Sequence, residues 1–114
     1  MKKLILFGVV MAFIASCSST KPLYSWYNYE NATYQYYKKR TDELKPQMMA
    51  QYLKLIKKQK GSRKVVPSGL YAEYGYALYM EGKKEEGLDY LRQEIKLYPE
   101  SETYISRIIK QLEK

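Results

Sequence analysis

The side chains that most often carry chemistry are scarce in this chain. Cys17 is its only cysteine and histidine is absent, so neither an internal disulfide nor a cysteine–histidine catalytic pair can form. The acidic groups are two aspartates, Asp42 and Asp89, and ten glutamates, mostly at positions typical of polar helix faces or turns. We identify no positioned acid–base pair, no cysteine–histidine metal set and no glycine-rich phosphate loop. We therefore expect a protein that is not an enzyme and that uses no metal or other dissociable cofactor.

The residues before Cys17 give this lone cysteine a different role. Two lysines near the amino terminus precede a short apolar run, residues 4–15, and small residues follow the run. This order is typical of a secretory signal peptide. The run is too short to cross a membrane, which takes about 20 apolar residues. The stretch Ile14-Ala15-Ser16-Cys17 resembles the lipobox of bacterial lipoproteins.

The lipobox resemblance implies a covalent membrane anchor. Residues 1–16 are then a removable signal peptide, and Cys17 carries a thioether lipid and an acylated, palmitate-type amino terminus. Two or more acyl chains hold a protein firmly on a membrane. Ser18 follows the cysteine in place of an aspartate, and resemblance to enteric lipoproteins then implies the outer membrane, facing the periplasm. Residues 17–27 are interpreted as a lipidated tether and residues 28–114 as the folded domain.

The mature chain is basic and rich in tyrosine. Its net charge falls from +8 to +6 when the two signal-peptide lysines leave (18 basic minus 12 acidic residues), and all 14 tyrosines remain. Such a composition suggests nucleic-acid binding in a cytoplasmic protein, but export argues against a nucleic-acid partner. Positive charge in the envelope can meet anionic lipid, acidic glycan or an acidic protein face, or can simply keep the domain soluble. The candidate basic loop consists of Lys60, Arg63 and Lys64.

Helical periodicity dominates from about residue 28 to the end. Between residues 47 and 60, apolar side chains recur on one helix face, with lysines beside or opposite them. No stretch shows the strict alternation of a strand. We predict an all-α domain of about five helices in antiparallel pairs. Turn and cap residues mark the expected helix ends. Pro46 suits the first turn of a helix and disfavours helical conformation at Lys45 before it. We expect Ser68 and Ser101 to be N-caps, Gly82 to form a left-handed turn that ends a helix, and Pro99 to stop the next one.

Residues 68–99 resemble a tetratricopeptide repeat, which is a pair of packed antiparallel helices. Gly75 and Gly87 fall at the positions where the two helices of that repeat touch, and bulky residues fill the places beside them. Opposed small residues allow two helices to approach closely. The repeat has a small residue where this chain has Glu94, so we expect the packing of this second helix against its successor to differ from that of the repeat. An upstream helix pair and a terminal capping helix complete the tetratricopeptide-like architecture.

Nearly the whole mature chain is similar to a family of small bacterial lipoproteins known as domain of unknown function 4810. The similarity is carried by VPSGLYAEYGY at residues 66–76, the turn Pro99-Glu100-Ser101, and the aromatic opening from Tyr24 to Tyr37. It implies an envelope location and a fold class rather than a chemistry. Members of this family tend to be encoded beside a lipoprotein that resembles the channel subunit of curli secretion, which implies an envelope assembly.

Two functions follow from these features. The first is a membrane-tethered helical adaptor that binds another envelope protein, such as a channel-forming lipoprotein. Tetratricopeptide geometry puts its candidate groove at Ala72, Tyr76, Tyr79 and Met80, unless the upstream helices cover the tyrosines and make them core. The second is a binding module for cell-wall glycan or anionic lipid through the basic loop, which ionic strength should weaken.

Overall fold

The computed structural model describes residues 2–15 and 21–114, and all regular structure in these two ranges is helical. No strand occurs in them, and the five α-helices predicted for the domain follow a first helix in the apolar amino-terminal run. A short 3₁₀ turn at Pro99–Ser101 precedes the last helix. The α-helices are α1 (Lys2–Ala15), α2 (Tyr29–Lys39), α3 (Leu44–Lys57), α4 (Leu70–Met80), α5 (Lys84–Leu97) and α6 (Glu102–Leu112).

The two amino-terminal lysines and the apolar run after them form helix α1, which has 14 residues. A helix of that length extends about 21 Å, whereas the hydrocarbon core of a bilayer is about 30 Å thick. None of the helices in the described ranges is long and apolar enough to cross a membrane. The proposed cleavage site and lipidated Cys17 fall within residues 16–20, outside the described residues.

In the domain, each helix packs against the next along the chain, from α2 to α6. Two clusters of buried side chains hold them together. The first core joins α3 to α4 and includes the fully buried Tyr52 and Leu55, with Tyr74 and Leu78 opposite them. The second core is smaller and joins α5 to α6 through Leu88, Leu91 and Ile105. The helices α4 and α5 between the cores therefore determine how the two ends of the domain are placed.

The closest helix contact lies between α4 and α5, where Gly75 faces Gly87. A Cβ atom built on Gly75 would lie 2.6 Å from the Gly87 carbonyl oxygen and 2.9 Å from the Tyr90 Cβ. A Cβ atom on Gly87 would lie 2.5 Å from the Gly75 carbonyl oxygen. Real Cβ atoms do not approach backbone atoms so closely, so only glycine fits at either position at this helix separation. The expected opposition of these two glycines is present.

The helix ends match the sequence expectations only in part. Gly82 adopts the left-handed conformation (φ 97°) expected after α4, and the Lys83 N–H donates to the Leu78 carbonyl at 3.0 Å. Ser68 does not cap α4, which begins at Leu70 without a side-chain cap from its neighbours in the chain. Ser101 does not cap α6 either, because its hydroxyl donates to the Tyr98 carbonyl at 2.6 Å.

The expectation at Lys45 was wrong, since α3 begins at Leu44 and Lys45 is helical. Pro46 is therefore the third residue of the helix. The N–H groups of a first helical turn have no partner within the helix, so the missing N–H of proline breaks no hydrogen bond there.

Candidate functional site

A surface groove lies between α4 and α6. It has a volume of about 430 Å³, and both walls contribute aromatic or aliphatic side chains. Tyr104 is 69% exposed and Tyr76 47% exposed, whereas Ile108 and Leu112 are half-buried. We call this surface the α4–α6 groove, and its lining residues are Ala72, Glu73, Tyr76, Tyr104, Ile108, Gln111 and Leu112.

Two contacts fix the wall that α6 contributes. Ile105 points into the second core and is 3% exposed, and the half-buried Ile108 and Leu112 pack against the same core, so this side of α6 is held against the domain. The Tyr79 hydroxyl donates to the Leu112 carbonyl at 2.6 Å, which ties the last turn of α6 to α4. A carbonyl in the last turn of a helix has no partner within the helix, so this tyrosine satisfies an otherwise open acceptor.

The structure separates the four residues predicted for the groove. Ala72 and Tyr76 line it. Tyr79 instead packs against the second core and holds α6 in place, so it contributes to the support of the groove rather than to its surface. Met80 is 61% exposed at the end of α4, outside the groove lining. The α6 residues of the groove were absent from the prediction, although their spacing (Tyr104, Ile108, Leu112) places them on one helix edge.

A second concave surface borders the first on the α2 side. It measures about 580 Å³, and its outer rim is formed by Tyr34 and Tyr37, which are 57% and 55% exposed. Glu73 lines both concave surfaces. Its carboxylate accepts a hydrogen bond of 2.7 Å from the Tyr29 hydroxyl, so α2 is linked to α4 at the point where the surfaces meet. Burial of the phenol and this hydrogen bond raise the pKa of Tyr29.

Glu94 provides the N-cap that Ser68 does not. Its side chain is 1% exposed, and its Oε1 accepts a hydrogen bond of 2.5 Å from the Gly69 N–H at the start of α4. Burial raises the pKa of the Glu94 carboxyl above its ordinary value, and the nearby backbone N–H groups of Gly69, Ala72 and Tyr71 act in the opposite direction. A carboxylate is favoured at a helix N-terminus because the free N–H groups carry partial positive charge. Where the repeat pattern has a small residue, this chain thus joins α5 to the first turn of α4.

The candidate basic loop is exposed at all three of its predicted residues, Lys60, Arg63 and Lys64. Residues 22–27, which we call the leading segment, pack against it. Within the segment interpreted as a tether, the Pro22 and Leu23 carbonyls accept hydrogen bonds from the N–H groups of Ser62 and Arg63 at 3.0 and 3.2 Å. Gly61 is buried beneath the backbone of Leu23 and Tyr24, where a Cβ atom would not fit.

No group of three or more potential metal ligands occurs in the described parts of the chain. What they present is an all-α protein of packed antiparallel helix pairs, with an aromatic groove at one place and a basic surface at another. Residues 23–108 match the model of the family described as Domain of unknown function (DUF4810), and the chain belongs to this family. No curated protein and no solved structure matches the chain. The family match extends from the leading segment to Ile108, and therefore includes the basic loop and most of the α4–α6 groove.

Proposed function

We propose that this protein is a lipid-anchored envelope adaptor that binds an amphipathic helix of another envelope protein in the α4–α6 groove. The assembly is one of the outer membrane or of a secretion system, and the partner is a channel-forming lipoprotein. The location rests on the lipobox resemblance of residues 14–17 and on the lipoprotein character of the similar family. The choice of binding surface rests on the geometry of the groove.

The observation that carries the proposal is the exposure of Tyr104 and Tyr76 on either side of a half-buried aliphatic floor. A tyrosine offers a large contact area with a polar tip and loses little conformational entropy on binding, which makes it common in binding hot spots. An aliphatic floor flanked by such side chains suits the apolar face of a helix, whose anchors recur every three or four residues.

The length and charge of the groove define the partner further. The α6 residues of the lining run from Tyr104 to Leu112, a stretch of about 13 Å that can accompany between two and three turns of a bound helix. Glu73 is the charged residue of the lining. We therefore expect a partner helix with two or three large apolar side chains on one face and a lysine or arginine at its edge.

Site-specific photocrosslinking of the full-length lipoprotein in intact cells tests this proposal. A photoreactive residue at Tyr104 should give one protein adduct, and the same probe at Glu85, on an exposed part of α5, should not. The crosslinked peptide should map to an amphipathic helix. Adducts of equal yield at both positions, or a peptide without an apolar helical face, would contradict the proposal.

Serine substitutions supply the matched comparison. Tyr76→Ser should reduce the adduct formed from position 104 about tenfold or more, since loss of a hot spot weakens binding by about 2 kcal/mol. Tyr34→Ser removes a tyrosine of similar exposure (57% against 47%) from the α2 rim and should leave the adduct unchanged. Both variants should retain the wild-type melting temperature, which separates loss of binding from loss of folding.

A further inference from the structure

The leading segment exposes large apolar side chains beside the basic loop. Leu23 is 58% exposed, Trp26 42% and Tyr27 39%. Their neighbours are cationic: the Lys54 ammonium lies 4.4 Å from the centre of the Tyr27 ring, and the Arg63 guanidinium lies 6.0 Å from the centre of the Tyr24 ring. The Lys60 N–H donates to the Ser25 hydroxyl at 3.2 Å, so the leading segment and the loop form one continuous surface.

The charge on this surface has one sign. Six lysines and arginines fall between Lys54 and Lys64, and no acidic residue occurs between Glu43 and Glu73. In the described ranges, the ion pairs within 4.0 Å involve only Lys45 and Arg92 as cations, so none of these six is paired with a carboxylate there. The surface thus combines uncompensated positive charge with an exposed leucine and tryptophan.

The covalent structure limits how far this surface can be from the proposed lipid anchor. Pro22, whose carbonyl is bonded to Ser62 of the loop, comes five residues after Cys17. A fully extended chain of that length reaches about 18 Å at most. The electrostatic attraction of an anionic leaflet decays over about 8 Å at physiological ionic strength. A lipidated Cys17 therefore keeps the loop within about 18 Å of the leaflet and lets a less extended chain bring it into that range.

We infer that the leading segment and the basic loop rest on anionic lipid headgroups of the leaflet that anchors Cys17, and that this contact orients the domain on the membrane. The inference depends on the lipid anchor of the proposed function but not on the groove. Tryptophan is enriched at the membrane–water interface, and arginine and lysine are attracted to lipid phosphates there. Leu23 and Trp26 insert between headgroups while Lys60, Arg63 and Lys64 pair with phosphates.

Trp26 is the only tryptophan of the chain and therefore reports on this surface alone. The experiment uses the full-length lipidated protein reconstituted into vesicles whose lipids carry bromine atoms near the headgroup. With about one third phosphatidylglycerol, Trp26 should be quenched and its emission shifted to shorter wavelength. In phosphatidylcholine alone, or at about 1 M salt, where charges are screened beyond about 3 Å, the quenching should disappear while the protein stays on the vesicles through its lipid.

Charge-removing variants decide between this contact and passive proximity. Each lysine or arginine near an anionic leaflet strengthens association about fivefold. The combined substitutions Lys60→Gln, Arg63→Gln and Lys64→Gln should therefore lower the ratio of domains in contact with headgroups to domains held only through the lipid about 100-fold. The control removes the same charge from exposed positions elsewhere, with Lys83→Gln, Lys96→Gln and Lys110→Gln, and should quench like wild type.

Three results would overturn the inference. One is quenching that is equal in anionic and neutral vesicles, and another is quenching that both triple variants lose alike. The third is absence of quenching combined with Arg63-dependent sedimentation on isolated cell-wall sacculi, which would assign the surface to glycan. If the protein dissociates completely from neutral vesicles, it has no lipid anchor. That result would refute both this inference and the membrane part of the proposed function. Groove crosslinking tests the remainder of that function independently.

Discussion

The glycine pair between α4 and α5 allows a sharp test of the fold, because Gly75→Ala has two opposing effects. Alanine stabilises a helix interior by about 1 kcal/mol relative to glycine. The added Cβ, however, would lie 2.6 Å from the Gly87 carbonyl oxygen and 3.0 Å from the Leu91 backbone nitrogen. Both are backbone atoms of a neighbouring helix, so relief requires the helices themselves to separate.

Overpacking of this kind costs about 1–3 kcal/mol, and we place this site at the upper end because side-chain rotation cannot relieve it. Subtracting the gain of about 1 kcal/mol in helix propensity from a cost of about 3 kcal/mol leaves a net loss of about 2 kcal/mol in the free energy of unfolding. For a domain of this size that lowers the melting temperature by roughly 8–16 °C. Circular dichroism of the full-length chain in mild detergent measures it.

Gly87→Ala provides the matched variant, since its Cβ would meet the Gly75 carbonyl oxygen at 2.5 Å. Once one alanine has forced the helices apart, the second should cost less, and the double variant should lose less stability than the sum of the single variants. A melting temperature equal to or above that of wild type for Gly75→Ala would show that helix propensity decides alone. The close approach of α4 and α5 would then be refuted.

Three further changes test other parts of the molecule. Glu94→Ala leaves the Gly69 N–H without its buried acceptor and should lower the free energy of unfolding by about 2–3 kcal/mol, measured by urea titration. Burial raises the pKa of Glu94 above 4.5, so the stability that the protonated carboxyl contributes is fully present below pH 4.5 and declines as pH rises towards the folded pKa. Over that rise in pH, Glu94→Gln should gain stability relative to wild type, and a stability difference that does not change with pH would contradict this sign. Tyr79→Phe removes the hydrogen bond to the Leu112 carbonyl and should speed amide hydrogen exchange in the last turn of α6 at a cost of about 1 kcal/mol, whereas unchanged exchange would show that the hydroxyl does not hold that turn. Cys17→Ala should abolish metabolic labelling with a fatty-acid analogue, and labelling equal to wild type would refute the lipid anchor.

Local sequence patterns were sufficient to predict the architecture of the domain. Periodic apolar residues predicted the helices, and Gly82 and Pro99 marked two of their ends correctly, because a left-handed turn and a missing N–H act on the chain locally. The opposition of Gly75 and Gly87 was also predictable, since a resemblance with fixed spacing aligned both positions at once. Each of these inferences depends on neighbours in sequence or on one helix pair.

The candidate sites depended on contacts between distant parts of the chain, and there prediction was incomplete. Glu94 lies 25 residues from the Gly69 N–H that it caps, and no local rule connects them. Tyr76 and Tyr79 are three residues apart on one helix, so periodicity placed them together. Only the position of α6 shows that the first lines the groove and the second supports it. The contact between the leading segment and the basic loop likewise joins segments more than 30 residues apart.

The groove and the basic surface have no residue in common, and this separation leads to the last prediction. The groove is built from α4 and α6, whereas the basic surface is built from residues 22–27, the end of α3 and the following loop. Substitutions at separate sites without shared partners have nearly independent effects. Tyr104→Ser should therefore remove partner binding but leave lipid quenching of Trp26 unchanged. The Lys60, Arg63 and Lys64 triple variant should do the reverse. Loss of both readouts in either variant would mean that one ligand covers both surfaces, and the division of the molecule into a membrane face and a partner groove would be wrong.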